Sequence, residues 1–396
     1  MLMDKTLMVL GASILQLPAI EKASEMGLKV VVLDMNPNAI GFNVPGVVRE
    51  VVSTLDIPAA IEVAKKYEID GVMTLATDMP MRTVSAVASE CKLNGISMDT
   101  AKKATDKSLM RKALGEADVP IPISYSVSNI TDFNATISKI GFPIIVKPAD
   151  SSGSRGITRI DKLDDNTDEA FYYAKSNSKS GSVLVEECMI GPEVSVETLA
   201  VDGEVYVIQI TDKMTTGNPH YVEIGHTQPT RLDCSEDIAR IAIAANKAIG
   251  IQNGPSHTEI IVTAEGPKIV EIGARLGGDC ITTHLVPLST GVDMVEATIL
   301  ISLGIKPNIE NKYSKGAAIR YFNQRAGIIK DIRGLEDAYA SQGVKQISVV
   351  HGVGETITDI VDSASRMGFV IADGANAGEA ANNCVLALNK ILIEEI

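Results

Sequence analysis

Two stretches of this sequence carry side chains suited to handling a polyphosphate. The first is IVKPADSSGSRGI, Ile145 to Ile157. An apolar run ends in Lys147 and Pro148, and the loop Ser151, Ser152, Gly153, Ser154, Arg155, Gly156 follows. Glycines let several backbone N–H groups converge on a phosphate, while the lysine and arginine add positive charge. The competing reading is a plain surface turn, since Ser and Gly dominate turns for backbone reasons alone. The second stretch, HTEIIVTAEGPKIVEIGARLGGD, reads as a β-hairpin. A three-residue loop Ala264-Glu265-Gly266 pairs Thr263 with Pro267 and sets Glu259 directly opposite Glu271 on one face. A two-residue turn sends the two glutamates to opposite faces. Facing like charges destabilise a sheet, but a divalent cation over them removes the penalty, and Mg²⁺ favours carboxylates together with phosphate oxygens. The alternative leaves one glutamate in solvent. Arg275 and Gly277-Gly278 follow closely and offer a guanidinium and backbone donors beside the same face.

The elements that must position these groups fall into three segments of a 396-residue chain, too long for one ordinary core. Residues 5 to about 100 alternate strand (TLMVLG, KVVVLD, GVMTLA) and helix (LPAIEKASEMG, IPAAIEVAKKYEID, MPMRTVSAVASECK), the pattern of a small doubly wound α/β unit. Its first turn, Gly11 to Gln16, lacks G-x-G-x-x-G spacing, which argues against a nicotinamide site although Asp34 ends the second strand. From about Thr100 the texture changes: a lysine-rich helix, the extended prolyl VPIPISYSV, and then the glycine-rich loop. GSVLVEECM reads as a strand entering a hinge, EVSVETLAV and EVYVIQI as a hairpin turning at Asp202-Gly203, and residues 235–249 as an amphipathic helix. A third segment begins near Pro307 with strands AAIRYF and QISVV and two further helices.

Composition excludes several classes. The net charge of −14, with no basic block, argues against nucleic-acid or anionic-membrane partners. Bound polyphosphate therefore needs local cations. The five scattered cysteines form no C-x-x-C, and the five histidines form no H-E-x-x-H, so neither structural zinc nor a disulfide framework is expected. No 18-residue apolar stretch is present, and a cytoplasmic location is expected.

A phosphate loop, a hinge strand and a carboxylate pair, in that order, resemble the ATP-grasp superfamily over nearly the whole chain. The resemblance implies an α/β pre-grasp domain (1–100), an ATP-grasp domain that is α+β at the centre (101–305, small lobe about 118–188) and a C-terminal α/β domain (306–396). It implies ATP and Mg²⁺, expected as two ions and replaceable by Mn²⁺. Lys107 in TDKSLMRKAL and Lys147 in VKP match the lysines that meet the nucleotide phosphates and adenine. Ser151 to Gly156 match the mobile loop over the β- and γ-phosphates. Glu186 and the backbone of Glu187 to Met189 match the adenine edge, and Glu193 matches the ribose carboxylate. Glu259 and Glu271 match the metal ligands, and Arg275 the arginine beside the transferred phosphoryl group. Solvated surface positions are the alternative for Lys107, Glu193 and Arg155. Many members carry E-x-N at the second metal position, whereas this chain has Glu271-Ile272-Gly273.

EIGARLGGD, the following TTHLVPLSTGVDMVEA, and HYVEIGHTQP resemble the amino-acid ligase branch. There Glu223 and His226 match residues that face amino-acid substrates, with a packing histidine as the alternative for His226. Arg275 and the backbone at Gly278 are expected to hold a carboxylate and an oxyanion. The reaction implied joins a carboxylate, activated as an acyl phosphate, to an amine, with amino acids as both partners and a homodimer as the assembly to test. Pocket residues are expected from the first domain (Asp78), from 213–231 and from Asp279. Two rivals remain: a purine-type carboxylase or carbamoyl phosphate-forming relative, and a nucleotide-binding regulator without turnover.

Overall fold

The computed structural model describes all residues except Met1, Met3, Ser152, Gly153, Ser154, Asp165 and Pro219. The middle of the glycine-rich loop, Ser152 to Ser154, thus lies outside the described residues.

Strands Thr6–Leu10, Lys29–Leu33 and Gly71–Met73 form where the uninterrupted apolar runs lie. Helices cover both faces of this parallel sheet, so Leu7 to Leu10 are fully buried. A fourth strand, Val48–Glu50, joins its edge, and it carries no apolar run that would have announced it. Asp34 accepts hydrogen bonds from the backbone N–H groups of Ala12 and Asn36, both at 2.8 Å. Its carboxylate therefore ties down the first turn.

A four-stranded antiparallel sheet follows, ordered Ser124–Val127, Val183–Glu187, Ile144–Pro148, Thr158–Ile160. Helices Ile130–Ile140 and Thr167–Ser176 cover it through Phe133 and Phe171, whose ring centroids lie 5.2 Å apart. This is the small lobe.

The largest sheet has eight antiparallel strands: Gly266–Gly273, Gly254–Thr263, Glu193–Val201, Glu204–Thr215, Glu223–Gln228, Gly316–Tyr321, Gly368–Gly374 and Val344–Val349. It runs uninterrupted across residue 306. Asp202 and Gly203 both have positive φ (51° and 83°), the backbone of a primed two-residue turn. Strands Gly327–Arg333, Thr356–Ile357 and Leu392–Glu395 make a last small sheet.

The register of the glutamate hairpin departs from expectation in its route but not in its end. Thr263 pairs with Gly266, so the turn has two residues. A bulge between Glu259 and Ile260 then leaves Val270 as an extra residue, because Ile260 pairs with Ile269 while Glu259 pairs with Glu271. The bulge restores the opposition that the short turn alone would have broken.

Candidate active site

The two lobes and the loop after Gly71–Met73 enclose a cavity of about 400 Å³. Lys107, Lys147, Ser151 and Arg155 line one part of it. Glu223, His226, Glu259, Glu271, Arg275 and Gly278 line the rest. The carboxylates alternate with buried cations, and local structure places each.

Asp106 caps the helix Lys107–Glu116, accepting from the N–H groups of Ser108 and Leu109. Lys107 and Arg111, one turn apart, therefore share a buried face. Lys107 Nζ donates to Glu271 and to the Ser151 carbonyl, both at 2.9 Å. It ties the mouth of the glycine-rich loop to the hairpin. At the base of that loop, Asp150 accepts from Ser178 Oγ and from the N–H groups of Lys179 and Ser180. Gly156 has φ of 78°, and a Cβ there would lie 2.8 Å from Asn177 Cβ, so glycine is required.

Arg111 reaches Glu186 with Nε at 2.6 Å, and Lys147 Nζ lies 2.6 Å from the other oxygen. Ser124 Oγ donates to Glu186 at 3.0 Å. All three charged side chains are more than nine-tenths buried. Burial works against the ionised Glu186, yet the charges of Arg111 and Lys147 hold its carboxyl far below the usual range. Burial pushes the Lys147 ammonium down, opposed by Glu186. Glu186 thus stands behind Lys147 with both oxygens engaged, not in the cavity wall. Glu187 pairs with Lys268 at 2.8 Å, and its N–H donates to the Ile123 carbonyl. Cys188 N–H donates to Pro143, which pins the backbone just before Met189.

Lys213 is the hub of the opposite wall. Its Nζ lies 2.6 Å from Glu193, 3.2 Å from Glu259 and 3.5 Å from Glu223. Burial would strip its proton, but Glu259, Glu193 and Glu223 hold its ammonium well above the ordinary value. Burial likewise opposes ionised Glu259, while Lys213 and then His257 keep that carboxyl well below its usual range. Burial pushes the Glu193 carboxyl up against the pull of Lys213. His257 Nδ1 sits 2.5 Å from buried Glu197, and its Nε2 lies 3.5 Å from Glu259. Burial lowers the affinity of His257 for its proton, but Glu197 more than reverses this and raises the imidazole to about 9. A Cβ at Gly277 would collide with this pair, at 2.7 Å from His257 Nδ1.

Asp279 and Cys280 both adopt left-handed backbone (φ 49° and 60°). The turn aims Asp279 at His226 Nε2, 3.2 Å away, and at Arg366, which binds it through Nη1 at 2.7 Å and Nη2 at 2.8 Å. Arg366 also lies 3.9 Å over the Tyr321 ring and donates to the Glu223 carbonyl. Despite burial, hydrogen bonds from Arg366 and His226 hold the Asp279 carboxyl far below its normal range. Among the described residues His226 Nδ1 is buried without a partner. Arg275 Nε and Nη2 each lie 3.2 Å from the Asp78 carboxylate, which comes from the first domain.

The residues present suit Mg²⁺. Glu259 and Glu271 stand opposite each other in the cavity wall, each meeting its neighbouring cations through Oε1, and paired carboxylates are the donor set that this ion completes with phosphate oxygens and water. Sequence reasoning set Lys213 only at the edge of a pocket segment, without its role as hub, and missed Arg111, Arg366 and the Glu197–His257 pair. A signal existed for two of these. EVSVE alternates polar with apolar residues, and the two-residue period of a strand turns Glu193, Ser195, Glu197 and, on the next strand, Gln209, Thr211, Lys213 to one face. Arg366 carried no comparable signal, since it sits in a loop 87 positions from Asp279.

Residues 140–283 match the ATP-grasp domain, and residues 320–395 match the L-amino acid ligase C-terminal domain 2. A Bacillus subtilis protein named L-arginine-specific L-amino acid ligase is 26% identical over 79% of this chain and 76% of its own length. The L-amino acid ligase structure from Bacillus licheniformis superposes with a TM-score of 0.86, at 22% identity over 99% of each chain. A phosphoribosylglycinamide synthetase structure from Anaerococcus prevotii gives 0.80 at 20% identity, covering 99% of this chain and 100% of that one. The chain carries an ATP-grasp domain and is an ATP-dependent carboxylate–amine ligase. Within that class it carries the C-terminal domain of the L-amino acid ligases.

Proposed function

We propose that this enzyme joins two amino acids, activating one carboxylate as an acyl phosphate at the expense of ATP and releasing ADP and phosphate. The observation that carries this reading is the cavity itself. Buried Lys107 and Lys147 line it, Lys107 tied to Glu271, which stands opposite Glu259, and Arg275 and Asp279 line it too.

ATP lies between the lobes, with adenine at the Glu187–Met189 backbone and the ribose at Glu193. Lys147, oriented by Glu186, Lys107 and the Ser151–Gly156 loop hold the phosphates. Lys213 adds charge beside Glu259. Glu259 and Glu271 would hold Mg²⁺, which when bound would supply charge neutralisation at the transferring phosphoryl group. Positioning and electrostatic stabilisation carry most of such a transfer. Arg275 holds the substrate carboxylate and then the acyl phosphate, and the Gly278 backbone faces the oxyanion formed as the amine attacks. Glu223 is the better candidate to take the amine proton. The Nε2 atom of His226 is already on Asp279, so this histidine orients its neighbour. The loop over the phosphates excludes water from the acyl phosphate.

The test measures ADP and phosphate release from ATP and Mg²⁺ with single amino acids, amino-acid pairs, and bicarbonate plus an amine, with product masses. Turnover that needs two amino acids and yields a dehydrated adduct is expected. A bicarbonate requirement would transfer the enzyme to a carboxylating or carbamoylating chemistry, and ATP binding without turnover on any mixture would favour a regulator.

A further inference from the structure

The glycine at position 273, where many ATP-grasp enzymes place an asparagine metal ligand, has a physical cause here. A Cβ built on Gly273 would stand 2.7 Å from Asp78 Oδ1 and 3.3 Å from Arg275 Nε. The first contact is shorter than real Cβ atoms make, so no side chain fits while Asp78 stays in place. Asp78 is itself fixed, since Arg275 grips both of its oxygens, at 3.2 Å each. The space beside Glu271 that an asparagine amide would fill thus holds an ion pair. The guanidinium ends up in the cavity wall along with Glu271. Among the described residues, no cluster of three or more histidine, cysteine or carboxylate side chains forms a fuller cation site.

We propose that this chain holds one divalent cation, between Glu259 and Glu271, and that the Arg275 guanidinium, positioned by Asp78, supplies the positive charge a second cation would bring. Asp78 acts through Arg275 and is a positioning residue. Its delivery from the first domain makes the cation count a property of two domains together. The inference rests on the ATP and Mg²⁺ reading above and narrows it.

Mn²⁺ titration followed by electron paramagnetic resonance, with ADP at one equivalent per chain, counts the ions directly. The wild type is expected to bind one Mn²⁺ per chain. Gly273→Asn alone is expected to stay at one and to melt at a lower temperature, because the new side chain meets Asp78. Asp78→Ala combined with Gly273→Asn is expected to bind two. Two ions in the wild type, or two in Gly273→Asn alone, would overturn the inference and leave the ligase reading standing. No bound ion in the wild type would overturn both. Should the double variant fail to fold by circular dichroism, the wild-type count still decides.

Discussion

Single residues in this site do their work in pairs, so the informative substitutions are those that strand a partner. Glu186→Gln leaves Arg111 and Lys147 buried without a counter-charge. Losing one member of a buried ion pair costs about 3–5 kcal/mol. The folded pKa of Glu186 is depressed, so its contribution is present above its unfolded value of 4.5 and fades as pH falls below it. Urea denaturation should therefore show the variant well below wild type at pH 7, with the gap narrowing in acid. An equal gap at both pH values would sink the ion-pair account. Glu271→Ala should abolish Mg²⁺-dependent turnover, by roughly 100-fold or more, as expected for loss of a group that stabilises transition-state charge. Its far-UV spectrum should remain that of the wild type. Activity that survived would show that the metal assignment is wrong.

Among the secondary-structure elements, the helix that starts at Lys107 and the bulged hairpin set the geometry. Asp106→Ala removes two hydrogen bonds at the start of that helix and should cost about 1 kcal/mol of stability, read from the urea midpoint. It should also weaken ATP binding in calorimetry, because Lys107 is the first residue the cap orders. Unchanged nucleotide affinity would make Lys107 a structural residue only. Most of this scale was legible in the sequence. Apolar runs gave three of the four parallel strands, all but Val48–Glu50, and Asp202-Gly203 gave its hairpin. The opposition of Glu259 and Glu271 was expected from a three-residue turn, whereas a two-residue turn and a bulge at Val270 produce it, and a bulge leaves no mark on hydrophobic alternation. Of the metal-side residues, Glu259, Glu271 and Arg275 came from spacing and resemblance. The reason for Gly273 needed three dimensions, since its neighbour Asp78 lies 195 positions away.

For the whole molecule, the eight-stranded sheet carries strands from both sides of residue 306, and Arg366, just before one of its strands, reaches Asp279 in the cavity wall. Arg366→Lys should lower kcat/KM for the amino-acid substrates by about 10- to 100-fold, since a lysine cannot reproduce a bidentate, ring-stacked contact. The KM for ATP should stay near wild type, and a uniform fall in both would place Arg366 in general folding. The Asp279–Arg366 contact also constrains how such enzymes can be recombined. A crossover anywhere between positions 279 and 366 separates two residues that make sense only together. The hybrid inherits a buried guanidinium without its carboxylate unless the other parent supplies one. Chimeras joined before 279 or after 366 keep the contact, so this pair marks out an 88-residue block that descends as a unit.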